Sequence, residues 1–289
     1  MKILFASSEA HPLVKTGGLA DVSGSLPRAI REAGHDIRLV LPAYPEARAN
    51  AGELRLASEM YLPGAEGSVR ILEGRLPGTS VGLYLVDSPE YFDRRGGLYG
   101  TKKGDWPDNA QRFALFARAV CAIAMEHADL DWKPQLVHCN DWQTGLVPAL
   151  LSRENERPAT LFTIHNLAYQ GLFPKELFKK LKLPAEWWSW HLLEFHEQLS
   201  FIKGGLVFSD WITTVSPTYA REIRTPEFGC GLEGLLQQRS DRLSGILNGV
   251  DYEVWSPEQD FLLPRSYDFE HLDRKADNKR ALQQAFGLV

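Results

Sequence analysis

The stretch that decides the fold is Lys15-Thr16-Gly17-Gly18-Leu19-Ala20-Asp21. It lies between an apolar run at residues 2–6, which predicts a buried strand, and a helical pattern at residues 19–33. Glycines have no Cβ and let the backbone come close to a ligand, and a helix start offers unpaired N–H groups that suit a phosphate. The stretch matches neither the dinucleotide fingerprint nor the P-loop, so a surface turn with a solvated lysine is the alternative.

Strands and helices alternate outward from this stretch. A second strand is predicted at residues 37–41, and strand, glycine turn, helix and strand together predict a βαβ unit with parallel neighbouring strands. The pattern continues along the chain and predicts an α/β fold with a doubly wound parallel, Rossmann-like sheet. The later predicted strands are residues 135–139, 159–164, 212–215 and 243–247, and the helices among them are residues 108–127, capped by Asp108, and 144–151.

Three regions depart from this alternation. Short runs separated by Pro and Gly at residues 52–90 predict an antiparallel ribbon inserted in the sheet or at its edge. Residues 93–108 form a polar, Gly-rich loop with aromatic side chains, a pattern typical both of ligand-binding loops and of plain connectors. Residues 170–208 are predicted to be largely helical, and their Trp and Phe side chains are better explained as packing residues than as a carbohydrate-stacking platform.

Composition excludes several classes of function. The 289 residues are 44% hydrophobic, enough for a sizeable core, and carry a formal net charge of −5 without a basic block, which argues against a nucleic-acid partner. Three scattered cysteines indicate neither a disulfide framework nor a zinc site and suit a reducing compartment. No signal peptide or membrane span is evident, so we expect a cytoplasmic protein with no membrane partner.

Polar residues follow several of the predicted strands. The Lys15–Asp21 stretch follows the first strand, and Asp141, His165 and Asn248 follow three later ones. Because ligands of such sheets bind outside the carboxyl ends of the strands, these residues predict one pocket. A neutral imidazole and neighbouring amides suit sugar hydroxyls, which need matched donors and acceptors.

Each of these residues also has a simpler explanation. Asp141 could cap the helix at residues 144–151, and Asp21 lies in a first helical turn, where the dipole favours a carboxylate. His138 and His165 lack the carboxylate or Cys spacing of a metal site, so no metal is expected. Glu9 follows the first strand, but one carboxylate in a loop is weak evidence. The sequence has no GxSxG elbow, which argues against a hydrolase triad.

Six motifs run in order across nearly the whole chain. They begin at Lys15 (Lys-Thr-Gly-Gly-Leu-Ala-Asp-Val), His138 (His-Cys-Asn-Asp-Trp), His165 (His-Asn-Leu-Ala-Tyr-Gln-Gly), Val215 (Val-Ser-Pro-Thr-Tyr-Ala-Arg-Glu), Gly231 (Gly-Leu-Glu-Gly-Leu-Leu-Gln) and Leu247 (Leu-Asn-Gly-Val-Asp). Taken together, these motifs resemble those of bacterial glycogen synthases and the related plant starch synthases. The resemblance implies one half of a two-domain GT-B glycosyltransferase, which transfers glucose from ADP-glucose to the non-reducing end of an α-1,4-glucan with retention at the anomeric carbon, without metal or cofactor.

The resemblance also implies roles for individual residues. Lys15 would help to bind the nucleotide sugar, and Gly18 would donate its N–H to the diphosphate. His165 would contact the donor glucose near its 6-hydroxyl, and Asp141 would lie near the sugar and the acceptor. The implied catalytic residues are His165 and Asp141, and the implied substrate-binding residues are Lys15, Gly17, Gly18, Asp21, Tyr99 and Asn248.

The resemblance further implies the domain organisation. Residues 1–250 would be the acceptor-side domain, and residues 251–289 a linker to a second, nucleotide-binding domain beyond residue 289. Because that domain carries the basic residues that clamp the diphosphate, we expect the 289-residue chain to have little or no activity alone. Two alternatives are a stand-alone glucan-binding module and another nucleotide-sugar enzyme, such as a sucrose-forming one. The preference for ADP over UDP rests on the resemblance, and the oligomeric state stays open.

Overall fold

The computed structural model describes residues 1–252 and 255–288. They fall into two compact units, one ending at Leu247 and one beginning at Asn248. Within the predicted linker at residues 251–289, Glu253, Val254 and Val289 lie outside the described residues.

The strands and helices are as follows. In chain order the strands are β1 (Lys2–Ala6), β2 (Asp36–Pro42), β3 (Arg55–Met60), β4 (Val69–Arg75), β5 (Gly82–Asp87), β6 (Gly100–Thr101), β7 (Gly104–Asp105), β8 (Leu136–Asn140), β9 (Ala159–Ile164), β10 (Leu172–Pro174), β11 (Glu194–Phe195), β12 (Gln198–Ser200), β13 (Trp211–Thr214) and β14 (Leu243–Gly245). The α-helices are α1 (Gly18–Glu32), α2 (Pro45–Asn50), α3 (Pro89–Phe92), α4 (Asn109–Ala124), α5 (Leu146–Leu151), α6 (Lys175–Lys180), α7 (Phe201–Phe208), α8 (Pro217–Glu222), α9 (Glu233–Gln238) and α10 (Lys275–Ala285).

The first unit is built on one large sheet. Among the described residues it has nine strands in the order β14-β13-β9-β8-β1-β2-β5-β4-β3. The strands from β14 to β5 run parallel, and β4 and β3 extend the sheet antiparallel at its edge. The predicted doubly wound sheet and its antiparallel ribbon are therefore confirmed, although β14 ends at Gly245 rather than at residue 247.

The first strand, β1, lies in the middle of this sheet, and later strands are added on both sides of it. It passes from β1 to β2 and β5 on one side, and later returns to β8 on the other side of β1. The point where the strand order reverses therefore lies between β1 and β8. In doubly wound sheets this switch point opens a crevice at the carboxyl ends of the strands.

Helix α1 confirms the helix predicted after the glycine turn. It begins at Gly18 and ends before Gly34, which has φ +89°. Gly24 inside the helix permits a close approach, since a Cβ there would lie 2.2 Å from the carbonyl oxygen of His11. The connection from β1 to α1 is thus held directly against the helix.

Helix α4 is buried along most of its length and fixes the loop at residues 93–108. Arg112 is 1% exposed and donates to the carbonyls of Tyr91 (2.7 Å) and Leu98 (2.9 Å). Asp108 precedes the first residue of α4, but the prediction that its side chain caps the helix is wrong. In the described structure its carboxylate makes no cap hydrogen bond and instead pairs with Arg94 at 2.6 Å.

The prediction of a largely helical region at residues 170–208 is wrong. In the described structure, β10, β12 and β11 form a three-stranded antiparallel sheet there, and only α6 and α7 are α-helical. The strands β11 and β12 are joined by His196 and Glu197, which have φ +48° and +62°. A two-residue hairpin turn with both residues at positive φ normally uses Asn and Gly. His-Glu carries no such signal, which is why sequence reasoning missed the hairpin.

The second unit contains helix α10. The loop before it is tied to the helix by Asn278, whose side chain accepts from the N–H of Arg265 (2.9 Å) and donates to its carbonyl (2.7 Å). The guanidinium of Arg265 also pairs with Asp277 at 2.5 Å.

Candidate functional site

The ends of β1, β8 and β9 bring polar side chains together at the switch point. Asn140, the last residue of β8, donates through Nδ2 to the carbonyl of Ala6 at the end of β1 (3.0 Å). Its Oδ1 lies 3.0 Å from Nε2 of His165, which follows β9. One buried amide thus links the three strand ends, and the predicted meeting of Asp141, His165 and the β1 loop at one edge is observed.

The environment of His165 fixes its protonation. Burial lowers the pKa of this imidazole to about 4, so the ring is neutral near pH 7. Because Asn140 must turn its NH2 group toward the Ala6 carbonyl, its oxygen faces His165. Nε2 of His165 therefore carries the proton and Nδ1 is an acceptor. Such a ring can receive a hydrogen bond from a hydroxyl group.

Asp141 is held in a strained backbone conformation. Its φ of +55° with ψ of −179° belongs to a region that is essentially reserved for glycine. Its side chain is 7% exposed, and its Oδ1 accepts from the N–H of His165 at 2.8 Å. In the described structure the carboxylate makes no cap bond to the turn that follows, so the helix-cap explanation of this side chain is wrong.

The pKa of Asp141 is raised to about 7, mainly by burial and further by the charge of Glu9. Hydrogen bonds from the backbone N–H groups of His165 and Asn166 oppose this shift. A carboxyl group that titrates near neutrality, on a strained backbone and at a switch point, is typical of a functional site.

Glu9 organises the glycine turn. Its Oε2 accepts from the N–H groups of Thr16 (2.6 Å) and Gly17 (3.2 Å), and the Thr16 hydroxyl lies 2.9 Å from both carboxylate oxygens. Oε1 accepts from the hydroxyl of Tyr99 at 3.0 Å. These bonds make Glu9 more important to the site than one carboxylate in a loop indicates from sequence. Its position just after β1 was the signal available.

The two glycines of the turn have different roles. A Cβ added to Gly17 or Gly18 would meet nothing within 4 Å, and Gly17 has an extended backbone with φ −153°. Neither packing nor conformation within the described structure therefore requires glycine here. The N–H of Gly17 is donated to Glu9, whereas Gly18 is the first residue of α1, where N–H groups have no partner inside the helix.

Lys15 is paired with an acidic residue of helix α1. Its Nζ donates to both carboxylate oxygens of Asp21, at 2.6 and 2.8 Å. Both side chains are more than 40% exposed, so this pair contributes little to stability and can open toward a ligand.

Tyr99 connects the loop at residues 93–108 to the strand ends. Its hydroxyl lies 2.7 Å from Oγ of Ser8, and its ring lies 6.4 Å from Trp142 and 6.0 Å from Phe113. The hydroxyl is thus hydrogen-bonded to other side chains of the protein, Ser8 and Glu9. Asn248 begins the second unit. The substrate roles of Tyr99 and Asn248 stay predictions.

The buried histidines predict a sensitivity to acid. Burial lowers the pKa of His138 to about 3 and that of His165 to about 4, against 6.5 in the unfolded chain. Their contribution to stability is therefore complete above about pH 6.5 and is lost as the pH falls through the folded values. Between about pH 6.5 and 4, the free energy of unfolding of the wild type falls as the pH falls. We expect this slope to be smaller in His138→Gln, by about 1.4 kcal/mol per pH unit. Urea melts at several pH values measure this slope.

The matched control is His127→Gln, on an exposed histidine. It should leave the slope unchanged. An equal slope in wild type and His138→Gln would contradict neutral burial of His138.

The described residues contain neither a metal-binding cluster nor a membrane-spanning helix. No group of three or more His, Cys, Asp and Glu side chains there could hold a metal ion. No helix in the same part of the chain is long and apolar enough to cross a membrane.

This chain is similar to known proteins over nearly its whole length. Residues 2–238 match the family model described as the starch synthase catalytic domain. Glycogen synthase 2 of Nitrosococcus oceani is 55% identical over 288 residues, 99% of this chain and 58% of that protein. Glycogen synthase 1 of Methylococcus capsulatus is 56% identical over 289 residues, 100% of this chain and 58% of that protein.

A solved structure shows the same fold. The catalytic domain of starch synthase IV from Arabidopsis thaliana, bound to ADP and acarbose, superposes with a TM-score of 0.80 at 30% identity and covers 100% of this chain and 59% of that one. The predicted GT-B fold class is thus confirmed. The chain spans 58% of the length of the two glycogen synthases. The family match over residues 2–238 shows that this chain belongs to the starch synthase catalytic domain family.

Proposed function

We propose that this chain is the acceptor-side part of a retaining glucosyltransferase that transfers glucose from ADP-glucose to the non-reducing end of an α-1,4-glucan. The observation that carries the proposal is the hydrogen-bonded arrangement at the strand ends. Asp141 bonds to the backbone of His165, whose ring is neutral near pH 7, and Asn140 links that ring to the end of β1, the strand that precedes the glycine turn. The likeness to a starch synthase bound to ADP and acarbose supports the choice of ligands.

The site residues suit the chemistry of this transfer. The nucleoside diphosphate leaves with negative charge, which the N–H groups at the start of α1 and the ammonium of Lys15 can stabilise. The glucosyl carbon becomes positively charged in an oxocarbenium-like transition state, and the carboxylate of Asp141 can stabilise that charge. The acceptor nitrogen of His165 can receive a hydrogen bond from a sugar hydroxyl and orient the ring.

The transfer needs more than these residues. The chain spans 58% of the length of the related glycogen synthases, and its own turn supplies one lysine to a diphosphate that carries several charges. We therefore propose that transfer by the 289-residue chain alone is negligible and that the remaining part of the relatives' length supplies the other phosphate-binding groups.

Calorimetry and a transfer assay on the 289-residue chain test the proposal. We expect the chain to bind maltooligosaccharides and to bind ADP-glucose measurably but more weakly than the maltooligosaccharides. We expect no incorporation of radiolabelled glucose into glucan. Glucan binding without any binding of ADP-glucose would favour a glucan-binding module instead. Incorporation at a rate typical of enzymes would contradict the incompleteness of the chain.

Gly18→Ala is expected to weaken ADP-glucose binding by about tenfold, or about 1.4 kcal/mol, because the new methyl group occupies space open to a ligand. The melting temperature should not change, because no atom of the protein lies within 4 Å of that methyl position. Calorimetry and thermal unfolding measure the two effects. The control is Gly67→Ala, a second open position in a distant loop, which should alter neither. Equal affinities of Gly18→Ala and wild type would remove Gly18 from the proposed phosphate site.

A further inference from the structure

The carboxylate of Glu9 joins two loops that are far apart in the sequence. One oxygen accepts from the backbone of Thr16 and Gly17, in the turn before α1. The other accepts from the hydroxyl of Tyr99, a residue 90 positions away in the loop at residues 93–108. Glu9 itself is 3% exposed, so its carboxylate has little contact with bulk water.

The donors on Glu9 are neutral groups, namely two backbone N–H groups and two hydroxyls. Two N–H groups just before a helix form a natural anion site, and here that site is filled by a side chain of the same protein. A carboxylate beside an incoming diphosphate would repel it, so Glu9 does not suit a direct role as a phosphate ligand.

We propose that Glu9 is a positioning residue, which holds the Thr16–Gly17 turn and Tyr99 in one arrangement so that the start of α1 and the loop at residues 93–108 are presented to the substrates together. Its link to substrates rests on the function proposed above. By occupying the N–H groups of Thr16 and Gly17, it leaves the N–H of Gly18 at the open end of the helix.

The hydrogen-bond pattern distinguishes a role of shape from a role of charge. In Glu9→Gln the amide oxygen can replace Oε2 and accept both N–H groups. The NH2 group can replace Oε1 and donate to the hydroxyls of Tyr99 and Thr16, since a hydroxyl both donates and accepts and Tyr99 can then donate to Ser8. Glu9→Asp keeps the charge but is one methylene too short to reach both loops.

Hydrogen exchange on the 289-residue chain tests the proposal without any ligand. The reporters are peptides covering the turn at residues 15–20 and the loop at residues 97–106, where the N–H of Trp106 donates to the carbonyl of Tyr99 at 2.9 Å. We expect both segments to exchange at least tenfold faster in Glu9→Asp and Glu9→Ala, and within about threefold of wild type in Glu9→Gln. Tyr99→Phe should accelerate the loop alone.

Calorimetry adds a readout that a purely structural role would not move. The affinity for ADP-glucose should fall about tenfold in Glu9→Asp and be restored in Glu9→Gln, with equal melting temperatures for the two variants. If wild type fails to bind ADP-glucose, the proposed function fails and the exchange data still decide the positioning role. Two outcomes would overturn the proposal. One is exchange at the wild-type rate in Glu9→Asp but not in Glu9→Gln, and the other is faster exchange of only one of the two segments in Glu9→Ala and Glu9→Asp.

Discussion

Asp141→Asn is expected to raise the free energy of unfolding at about pH 8 by about 2–4 kcal/mol. Burial raises the pKa of Asp141 from 3.8 to about 7, so above neutrality the folded chain holds an ionised carboxylate that water would solvate better. Asparagine has nearly the same shape and still accepts from the N–H of His165. It removes the buried charge while keeping the hydrogen bond.

The stability gained in Asp141→Asn should depend on pH. Because the folded pKa is above the unfolded value, the stability associated with the protonated group is complete below about pH 4 and is lost as the pH rises through about 7. The difference between variant and wild type should therefore grow between these two values and be constant above them. Urea melts across this range measure the difference.

Asp210 provides a control of opposite sign. Hydrogen bonds from Arg157, chiefly, and from Thr160 lower the pKa of Asp210 to about 2, so its contribution is present above about pH 4 and is lost as the pH falls through about 2. Asp210→Asn should therefore destabilise the protein at about pH 8. If Asp141→Asn also destabilised it there, the carboxylate of Asp141 would be a stabilising group, and the interpretation of a charge held for function at the expense of stability would be wrong.

Gly145→Ala is expected to destabilise the protein by more than about 3 kcal/mol or to prevent folding. A Cβ at this position would lie 2.0 Å from the carbonyl oxygen of Phe201, the first residue of α7. The contact from the other side is also close, because a Cβ on Gly204 would lie 2.4 Å from the carbonyl oxygen of Gly145. Both obstructions are backbone atoms, which cannot rotate away, so α5 and α7 would have to separate.

Thermal and urea unfolding measure the effect, and Gly17→Ala is the matched control. Gly145 has ordinary helical angles (φ −59°, ψ −28°), so alanine is conformationally acceptable there and only the contact with α7 opposes it. Gly17 has open space around the same methyl position and should tolerate alanine. A Gly145→Ala protein as stable as wild type would show that the two helices can move apart at little cost.

Much of the fold follows from local patterns. The apolar runs of β1 and β2, the helix between them and the glycine turn predict a parallel βαβ unit, because strand and helix periodicity and turn chemistry act over a few residues. The placement of Asp141 and His165 at one edge follows in turn, because parallel strands all end on the same side of the sheet. The hairpin at His196 and Glu197 escaped prediction because its positive φ values depend on the surrounding fold rather than on the residues themselves.

The amino-acid sequence by itself determined the class of fold, the edge of the sheet where the candidate site residues Asp141 and His165 lie, and the family. Only the tertiary structure decided how the side chains act there: that Glu9 joins the glycine turn to Tyr99, that Asp141 bonds to the backbone of His165, and that Gly145 meets α7. The physical reason is distance along the chain. Backbone preferences act between near neighbours in sequence, whereas burial, hydrogen bonds and close approach join residues that only folding brings together.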